Sequence, residues 1–228
     1  MTIGSHAGPM YVGVDLAAEA ARTGIAVIRE RPDQQRLVIE EARRGADDDI
    51  LVELVIAATK TGVDVPLGWP RAFVEHVLAH STGRLTGLTT SDIDWCRSMA
   101  MRRTDLLLGE RLGLRPLSVA TDRIAYLALR WSVVEARLRE GGVDCARDGS
   151  GNVCEVYPAA ALSWWGLPHR GYKSTTAQAV REQIVEGLEA VVPQLEWNGF
   201  RELCRCSGYP DVWVTPLVRA GPGPDSSA

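Results

Sequence analysis

Short apolar runs separated by turn residues open the chain and predict three strands. The runs cover roughly 10–16, 23–29 and 35–40, and Arg31-Pro32-Asp33 between the last two is typical of a hairpin turn. Strands joined by such short connections pair antiparallel. We therefore expect a three-stranded antiparallel sheet at the start of the fold.

A helical spacing of apolar residues follows. Ile50–Thr59 places its leucines and valines on one face, and Asp47-Asp48-Asp49 before it supplies a cap and acidic residues that suit a helix N-terminus. Gly62 is expected to end this helix, and Val63–Pro66 to form the fourth strand. A helical crossover makes the fourth strand parallel to the first.

The remaining periodicity predicts a mostly helical second half. It indicates, in order, a helix at 70–80, an arginine-bearing segment at 98–112, a long amphipathic helix at 122–141, a strand at 153–157, and helices at 159–167 and 177–193. We expect one α/β domain over 10–207, with a mixed sheet of about five strands and a helical insertion at about 70–142. Residues 1–9 are expected to be a disordered leader or tag remnant, and 208–228 an atypical disordered tail.

Carboxylates interrupt the apolar runs at matching places. Asp15 ends the first run, Asp64 lies in the fourth, and Glu155 lies in the strand predicted at 153–157. An ionised carboxylate in such a run is costly unless it is paired, hydrogen-bonded or bound to a metal. If the first and fourth strands are neighbours, Asp15 and Asp64 meet and repel unless a cation lies between them. The alternative is that each Asp accepts hydrogen bonds from the turn after its strand.

Composition narrows the class of protein. Hydrophobic residues make up 46% of the 228 residues and charged residues 24%, which is enough apolar material for a real core. No apolar run reaches the length of a membrane span and the start has no signal-peptide pattern, so we expect a cytoplasmic protein without a membrane partner. A net charge of −4 argues against a general polyanion binder. Arginines around Arg103 offer a local basic patch.

Six short motifs occur in a fixed order along the chain. They are Gly13-Val14-Asp15-Leu16-Ala17, Asp64-Val65-Pro66-Leu67-Gly68-Trp69-Pro70, Arg103-Thr104-Asp105, Pro116-Leu117-Ser118-Val119, Glu155-Val156-Tyr157-Pro158-Ala159-Ala160-Ala161-Leu162 and Tyr172-Lys173. With these motifs the chain resembles a family of predicted nucleases, domain of unknown function 429, over about three-quarters of its length. The resemblance implies a ribonuclease H-like fold.

The resemblance also implies a site and a reaction. It implies a Mg²⁺ or Mn²⁺ site held by Asp15 and Asp64, with Glu155 as the third ligand, that hydrolyses phosphodiester bonds in a nucleic acid or nucleotide. Arg103 and Lys173 are then expected to contact substrate phosphates. Relatives tend to end in a helix with paired acids, whereas this chain has only Asp211 there, which leaves a fourth ligand open.

Two other functions stay open. The unusual C-terminus is compatible with a ribonuclease H-fold binding or regulatory module whose catalytic site has decayed. An actin-like ATPase or sugar kinase would also place an Asp at the end of the first strand, but 17–21 lacks the glycine-rich, hydroxyl-bearing phosphate hairpin of those proteins. Metal dependence and nucleotide binding distinguish the three.

Overall fold

The first three strands form the antiparallel half of the sheet. In the computed structural model, which describes residues 8–87, 91–120, 122–174 and 176–202, they are β1 (Met10–Asp15), β2 (Gly24–Arg31) and β3 (Arg36–Arg44). β1 and β3 each pair antiparallel with β2, as predicted. β3 runs four residues beyond its predicted end, through a register shift between Val27 and Ile28 of β2.

The first helix and the fourth strand complete the parallel part. α1 (Asp48–Ala57) begins two residues earlier than predicted, directly after its cap Asp47, whose side chain accepts a hydrogen bond from the Ile50 N–H. β4 (Lys60–Val63) is parallel to β1, which confirms the predicted pairing. The strand lies three residues earlier than predicted, because Gly62 does not end the helix but lies within β4 opposite Gly13.

The described residues between β4 and the next strand, β5 (Val153–Glu155), form four helices. They are α2 (Arg71–Ser81), α3 (Ile93–Ala100), α4 (Arg103–Leu112) and α5 (Asp122–Glu140). α2 and α3 bury none of their described residues, whereas α5 packs against α1 and contributes Trp131 and Val134 to the core. α2 and α3 therefore lie at the surface, whereas α5 covers the sheet.

The chain then returns along the other face of the sheet. α6 (Pro158–Trp164) and α7 (Gln178–Val191) follow β5, and β6 (Leu195–Glu196) pairs parallel with β3. The described strands form one six-stranded sheet in the order β5-β4-β1-β2-β3-β6. The sequence predicted about five strands, because a two-residue strand is too short to show an alternating pattern. The predicted tail at 208–228 lies outside the described residues, as do the first seven residues of the leader.

Helices cover both faces of this mixed sheet. One core cluster joins β1 and β4 to α1 and α5 through residues such as Val14, Val63 and Trp131. The other joins β2 and β3 to α6 and α7 through residues such as Ile39 and Ile184. No helix within the described ranges is long and apolar enough to cross a membrane. The fold class predicted from sequence, a mixed α/β sheet with flanking helices, is confirmed at this level.

Arg130 of α5 fastens the loop after β1 to the rest of the fold. Its guanidinium donates to the Ala17 carbonyl and the Thr23 hydroxyl, both at 2.6 Å, to the Ala46 carbonyl at 3.2 Å, and to the Asp48 carboxylate at 2.8 Å. Only 12% of the Arg130 side chain is exposed. One cation thus satisfies four acceptors from three segments, and it fixes the chain immediately beyond Asp15.

We expect Arg130→Met to lower the free energy of unfolding by about 2 kcal/mol, because it leaves buried acceptors without a donor. The matched control is Arg137→Met on the same helix, whose ion pair with Asp49 is largely exposed and should contribute less than about 0.5 kcal/mol. Urea unfolding of both variants measures the difference. Equal losses in the two variants would show that Arg130 has no special role.

Candidate functional site

Asp15 and Asp64 lie side by side where two parallel strands end. Val14 of β1 is in register with Val63 of β4, and the Asp64 N–H donates to the Val14 carbonyl at 2.8 Å, so the ladder continues to the two aspartates. Neighbouring strands are about 4.8 Å apart. Both residues are half-buried. The parallel pairing therefore brings the two predicted carboxylates to the same edge of the sheet, where open α/β sheets bind ligands.

The alternation of side chains shows which face the pair occupies. Val14 and Val63, one residue earlier, belong to the core cluster under α1 and α5. Successive side chains of a strand point to opposite faces. Asp15 and Asp64 therefore share the other face, on the side of α6 and α7.

A cation lies in the same row of the sheet. Asp15 pairs with Gly24 of β2, and Gly24 pairs with Arg44 of β3, so the three residues share a face. Gly24 has no side chain to separate the other two. Burial lowers the pKa of Arg44, and the negative charge of Asp15 opposes that decrease. Arg44 was not among the predicted site residues, because the third strand was expected to end at residue 40.

A cavity of about 270 Å³ opens beside Asp64. The residues around it come from the start of α6 and from the loop before α7: Tyr157, Pro158, Ala159, His169, Arg170, Gly171, Tyr172 and Lys173. Lys173, predicted to bind substrate, is exposed here, with its Nζ 5.9 Å from the centre of the Tyr172 ring. His169 also lines the cavity, although its sequence position carries no spacing signal.

A buried arginine fixes the loop that carries Lys173. Arg181 of α7 is only 2% exposed, and its Nη1 donates to the carbonyls of Tyr172 at 2.9 Å and Ser174 at 2.6 Å. These carbonyls flank Lys173 on either side. The backbone at Lys173 is thereby held next to the cavity, while its long side chain extends towards solvent.

Glu155 lies elsewhere. It pairs with Val63, one residue before Asp64, and so projects from the opposite face of the sheet. Both of its carboxylate oxygens accept hydrogen bonds from Arg102 at 2.7 Å, and one also accepts from the Leu67 N–H at 3.0 Å. No group of three or more His, Cys, Asp or Glu side chains within the described ranges could hold a metal. The structure thus brings Asp15 and Asp64 together and separates the predicted third ligand from them.

Arg102 also binds the acid of the Arg-Thr-Asp motif. Asp105, with a side chain 1% exposed, accepts from the Arg102 guanidinium at 2.7 and 3.0 Å and from its backbone N–H at 2.9 Å. Burial lowers the pKa of Arg102, but the hydrogen bonds and charges of Glu155 and Asp105 outweigh it and hold that pKa above its ordinary value. The three side chains clamp α4, β5 and the loop after Asp64 together.

Arg103, the other predicted substrate contact, lies in a second cavity. This cavity has a volume of about 370 Å³ and is lined by Trp69, Arg71 and Thr104 among others. Arg103 makes no hydrogen bond or ion pair with any residue of the described ranges, so its guanidinium is available to an anion. Lys173 and Arg103 therefore line different cavities.

A family model described as "Protein of unknown function (DUF429)" matches residues 13–205. The chain belongs to the DUF429 family. No curated protein and no solved structure matches it. The DUF429 match spans all five residues selected from sequence, namely Asp15, Asp64, Arg103, Glu155 and Lys173.

The donor set of this DUF429 chain suits a hard divalent cation. Asp15 and Asp64 offer carboxylate oxygens from two hydrogen-bonded strands, and Mg²⁺ prefers a few such oxygens together with retained water. Fixed strands keep the two carboxylates near each other, and a cation between them would offset their repulsion. Arg44 and Lys173 place positive charge on either side, where an anionic substrate could be held.

Proposed function

We propose that this DUF429 protein is a metal-dependent nuclease that hydrolyses phosphodiester bonds at Asp15 and Asp64. The observation that carries the proposal is the register of β1 and β4, which sets the two carboxylates side by side at the carboxyl end of the sheet. Mg²⁺ or Mn²⁺ bound there would supply the activation of water and the stabilisation of charge on the phosphate.

The order of the elements supports a ribonuclease H-like fold. In that arrangement the first and fourth strands are parallel neighbours, as β1 and β4 are here, after three antiparallel strands. β5 extends the parallel side, and helices cover both faces. β6 is an addition on the far edge, beside β3.

The residues around the pair have distinct tasks in this proposal. Asp15 and Asp64 hold the cation, and Lys173 and Arg44 attract the phosphate of a nucleic acid or nucleotide. His169 lines the cavity with Asp64 and is placed to exchange a proton with a bound substrate or water. Glu155 acts at a distance, because its bond to the Leu67 N–H fixes the loop that begins at Asp64.

Arg44→Gln tests the electrostatics of the pair. Removing a positive charge near Asp15 should raise Mg²⁺ affinity about 2- to 5-fold, which corresponds to an exposed charge interaction of roughly 0.5–1 kcal/mol. Arg43→Gln is the matched control, because Arg43 is the next residue of β3, on the opposite face, and pairs with Glu41. Calorimetric Mg²⁺ titrations compare the two. Weaker binding in Arg44→Gln alone would mean that Arg44 supports the metal site rather than opposing it.

A nuclease assay tests the proposal itself. Single-stranded DNA, duplex DNA, RNA and a dinucleotide are each incubated with the protein in Mg²⁺, in Mn²⁺ and in EDTA, with Asp64→Asn as the control. We expect hydrolysis of at least one substrate that requires the metal and is lost in the variant. Activity that persists in EDTA, or that Asp64→Asn retains, would contradict it.

One observation favours a second candidate, a nucleic-acid-binding module without catalysis. Glu155 is bound by Arg102, and only two acids therefore meet within the described ranges. Asp211, the acid near the C-terminus, lies outside those ranges. Metal-dependent hydrolysis distinguishes the two candidates, because the module would bind nucleic acid without cleaving it.

A further inference from the structure

An apolar groove lies between α4 and α6, beside the edge strand β5. Its volume is about 600 Å³, which is within the range of small-molecule sites. We call it the α4–α6 groove and define its walls by six residues: Leu107, Leu108, Leu112, Ala160, Trp164 and Trp165. Trp164 is 58% exposed, although it is one of the largest apolar side chains in the protein. A half-exposed indole next to a cavity of this size is a surface on which a flat ring can stack.

The charge at the rim of the groove favours an anionic ligand. Arg111 is exposed and makes no hydrogen bond or ion pair with the described part of the chain. Arg147 has Glu135 as its acidic neighbour, at 3.4 Å. Two acids also border the groove, but Glu155 is bound by Arg102, and Asp148 accepts hydrogen bonds from Ser150. Asp148 remains an exposed carboxylate, but with Glu155 neutralised by Arg102 the two arginines outnumber it at the rim.

The groove adjoins the candidate site through one residue. Tyr157, the residue before α6, lines both the groove and the 270 Å³ cavity that contains Asp64. A ligand with a phosphate near Asp64 could pass Tyr157 and place its next group between α4 and α6. Of the common phosphate-bearing ligands, nucleotides carry a flat aromatic group close to the phosphate.

We propose that the α4–α6 groove binds a nucleobase of the substrate, adjacent to the phosphate at Asp15 and Asp64. The inference rests on the proposed function for the identity of the substrate. The base stacks on Trp164, and Arg111 and Arg147 contact the phosphates that flank it. A peptide strand added to β5 fits less well, because β5 offers only three residues and the Arg102–Glu155 pair lies at its end.

Measuring base-dependent binding to the full chain in EDTA tests whether the α4–α6 groove binds a nucleobase. The probes are fluorescein-labelled single-stranded tetrathymidylate and an abasic tetramer with the same phosphates, both followed by anisotropy. Ala160→Leu narrows the groove, and Ala136→Leu, on the exposed face of α5, is the matched control. We expect Ala160→Leu to weaken tetrathymidylate binding about 10-fold, Ala136→Leu to leave it unchanged, and the abasic probe to bind all three proteins equally and weakly.

A second variant keeps the test informative if Ala160→Leu does not fold. Trp164→Ala removes a largely exposed side chain and should weaken tetrathymidylate binding by about the same 10-fold, with an unchanged circular dichroism spectrum. Equal binding of the two probes by the unmodified protein, no binding of tetrathymidylate, or full binding by both groove variants would each overturn the proposal.

This experiment also distinguishes the groove from the nuclease activity. Binding in EDTA needs neither metal nor hydrolysis, and it can be repeated with Asp64→Asn. Base-dependent binding without any metal-dependent hydrolysis would support the proposed base site in the groove and contradict the proposed nuclease activity. Hydrolysis that Ala160→Leu and Trp164→Ala leave unchanged would support the proposed nuclease activity and contradict the proposed base site.

Discussion

Arg102→Met should lower the free energy of unfolding by about 3–4 kcal/mol, the largest stability loss that we expect from a single substitution in this protein. The substitution removes the cation from two carboxylates, one of which, Asp105, is almost fully buried. Breaking a buried ion pair from one side leaves an uncompensated charge, which typically costs 3–5 kcal/mol. The clamp also joins α4, β5 and the loop after Asp64, so its loss should reduce the cooperativity of unfolding around the site.

The neighbouring arginine is the control for this prediction. Arg103 follows Arg102 directly but is exposed and has no partner within the described ranges, so Arg103→Met should change the free energy of unfolding by less than about 0.5 kcal/mol. Urea unfolding monitored by circular dichroism compares the two variants. If Arg102→Met is as stable as Arg103→Met, the ion pairs of Arg102 with Glu155 and Asp105 do not stabilise the fold.

Asp15→Asn should separate metal binding from stability. Without metal, the two neighbouring carboxylates repel each other, so the variant should unfold at the same free energy as the unmodified protein or about 1 kcal/mol higher. In Mg²⁺ the unmodified protein should gain stability through binding, whereas the variant should gain none. Thermal unfolding in EDTA and in Mg²⁺ measures both effects.

A loss of stability of Asp15→Asn in EDTA would point to a structural role of Asp15. If Asp15 instead anchors the turn after β1 by hydrogen bonds, Asp15→Asn would lower stability in EDTA by roughly 1–3 kcal/mol. Such a loss would support the structural interpretation of Asp15. Asp33→Asn, in the exposed turn between β2 and β3, controls for the loss of one negative charge on the surface.

That Asp15 and Asp64 lie at the same edge of the sheet could be predicted from sequence, because the edge follows from topology. Three strands with short connections and then a helix leave few arrangements of the fourth strand. The parallel pairing of β1 and β4 places their carboxyl ends at one edge of the sheet, and the register of Val14 with Val63 puts the two aspartates on the same face. A boundary error of three residues in β4 therefore did not affect the prediction.

The position of Glu155 could not be predicted, because it depends on register. A shift of one residue moves a side chain to the other face of a strand. β5 pairs Glu155 with Val63 rather than with Asp64, and the carboxylate then meets Arg102 from a helix that begins about fifty residues earlier in the sequence. No local pattern encodes a contact between segments so far apart.

Other residues near the site were missed for related reasons. Arg44 lies beyond a register shift that lengthens β3, and a single sequence gives no signal of such an irregularity. Arg181 looks like an ordinary helix-surface arginine, although it is buried against two carbonyls of the loop that carries Lys173. In both cases the tertiary environment, rather than the residue type, defines the role.

Calorimetric titration of Mn²⁺ into the unmodified protein and into Asp64→Asn tests the central claim most directly. Both proteins are first freed of metal with EDTA and titrated at neutral pH, where free carboxylic acids are ionised. Two adjacent carboxylates on fixed strands should bind Mn²⁺ measurably in the unmodified protein, and loss of one should weaken that binding at least 10-fold. No binding by the unmodified protein, or equal binding by both, would contradict a metal site at Asp15 and Asp64.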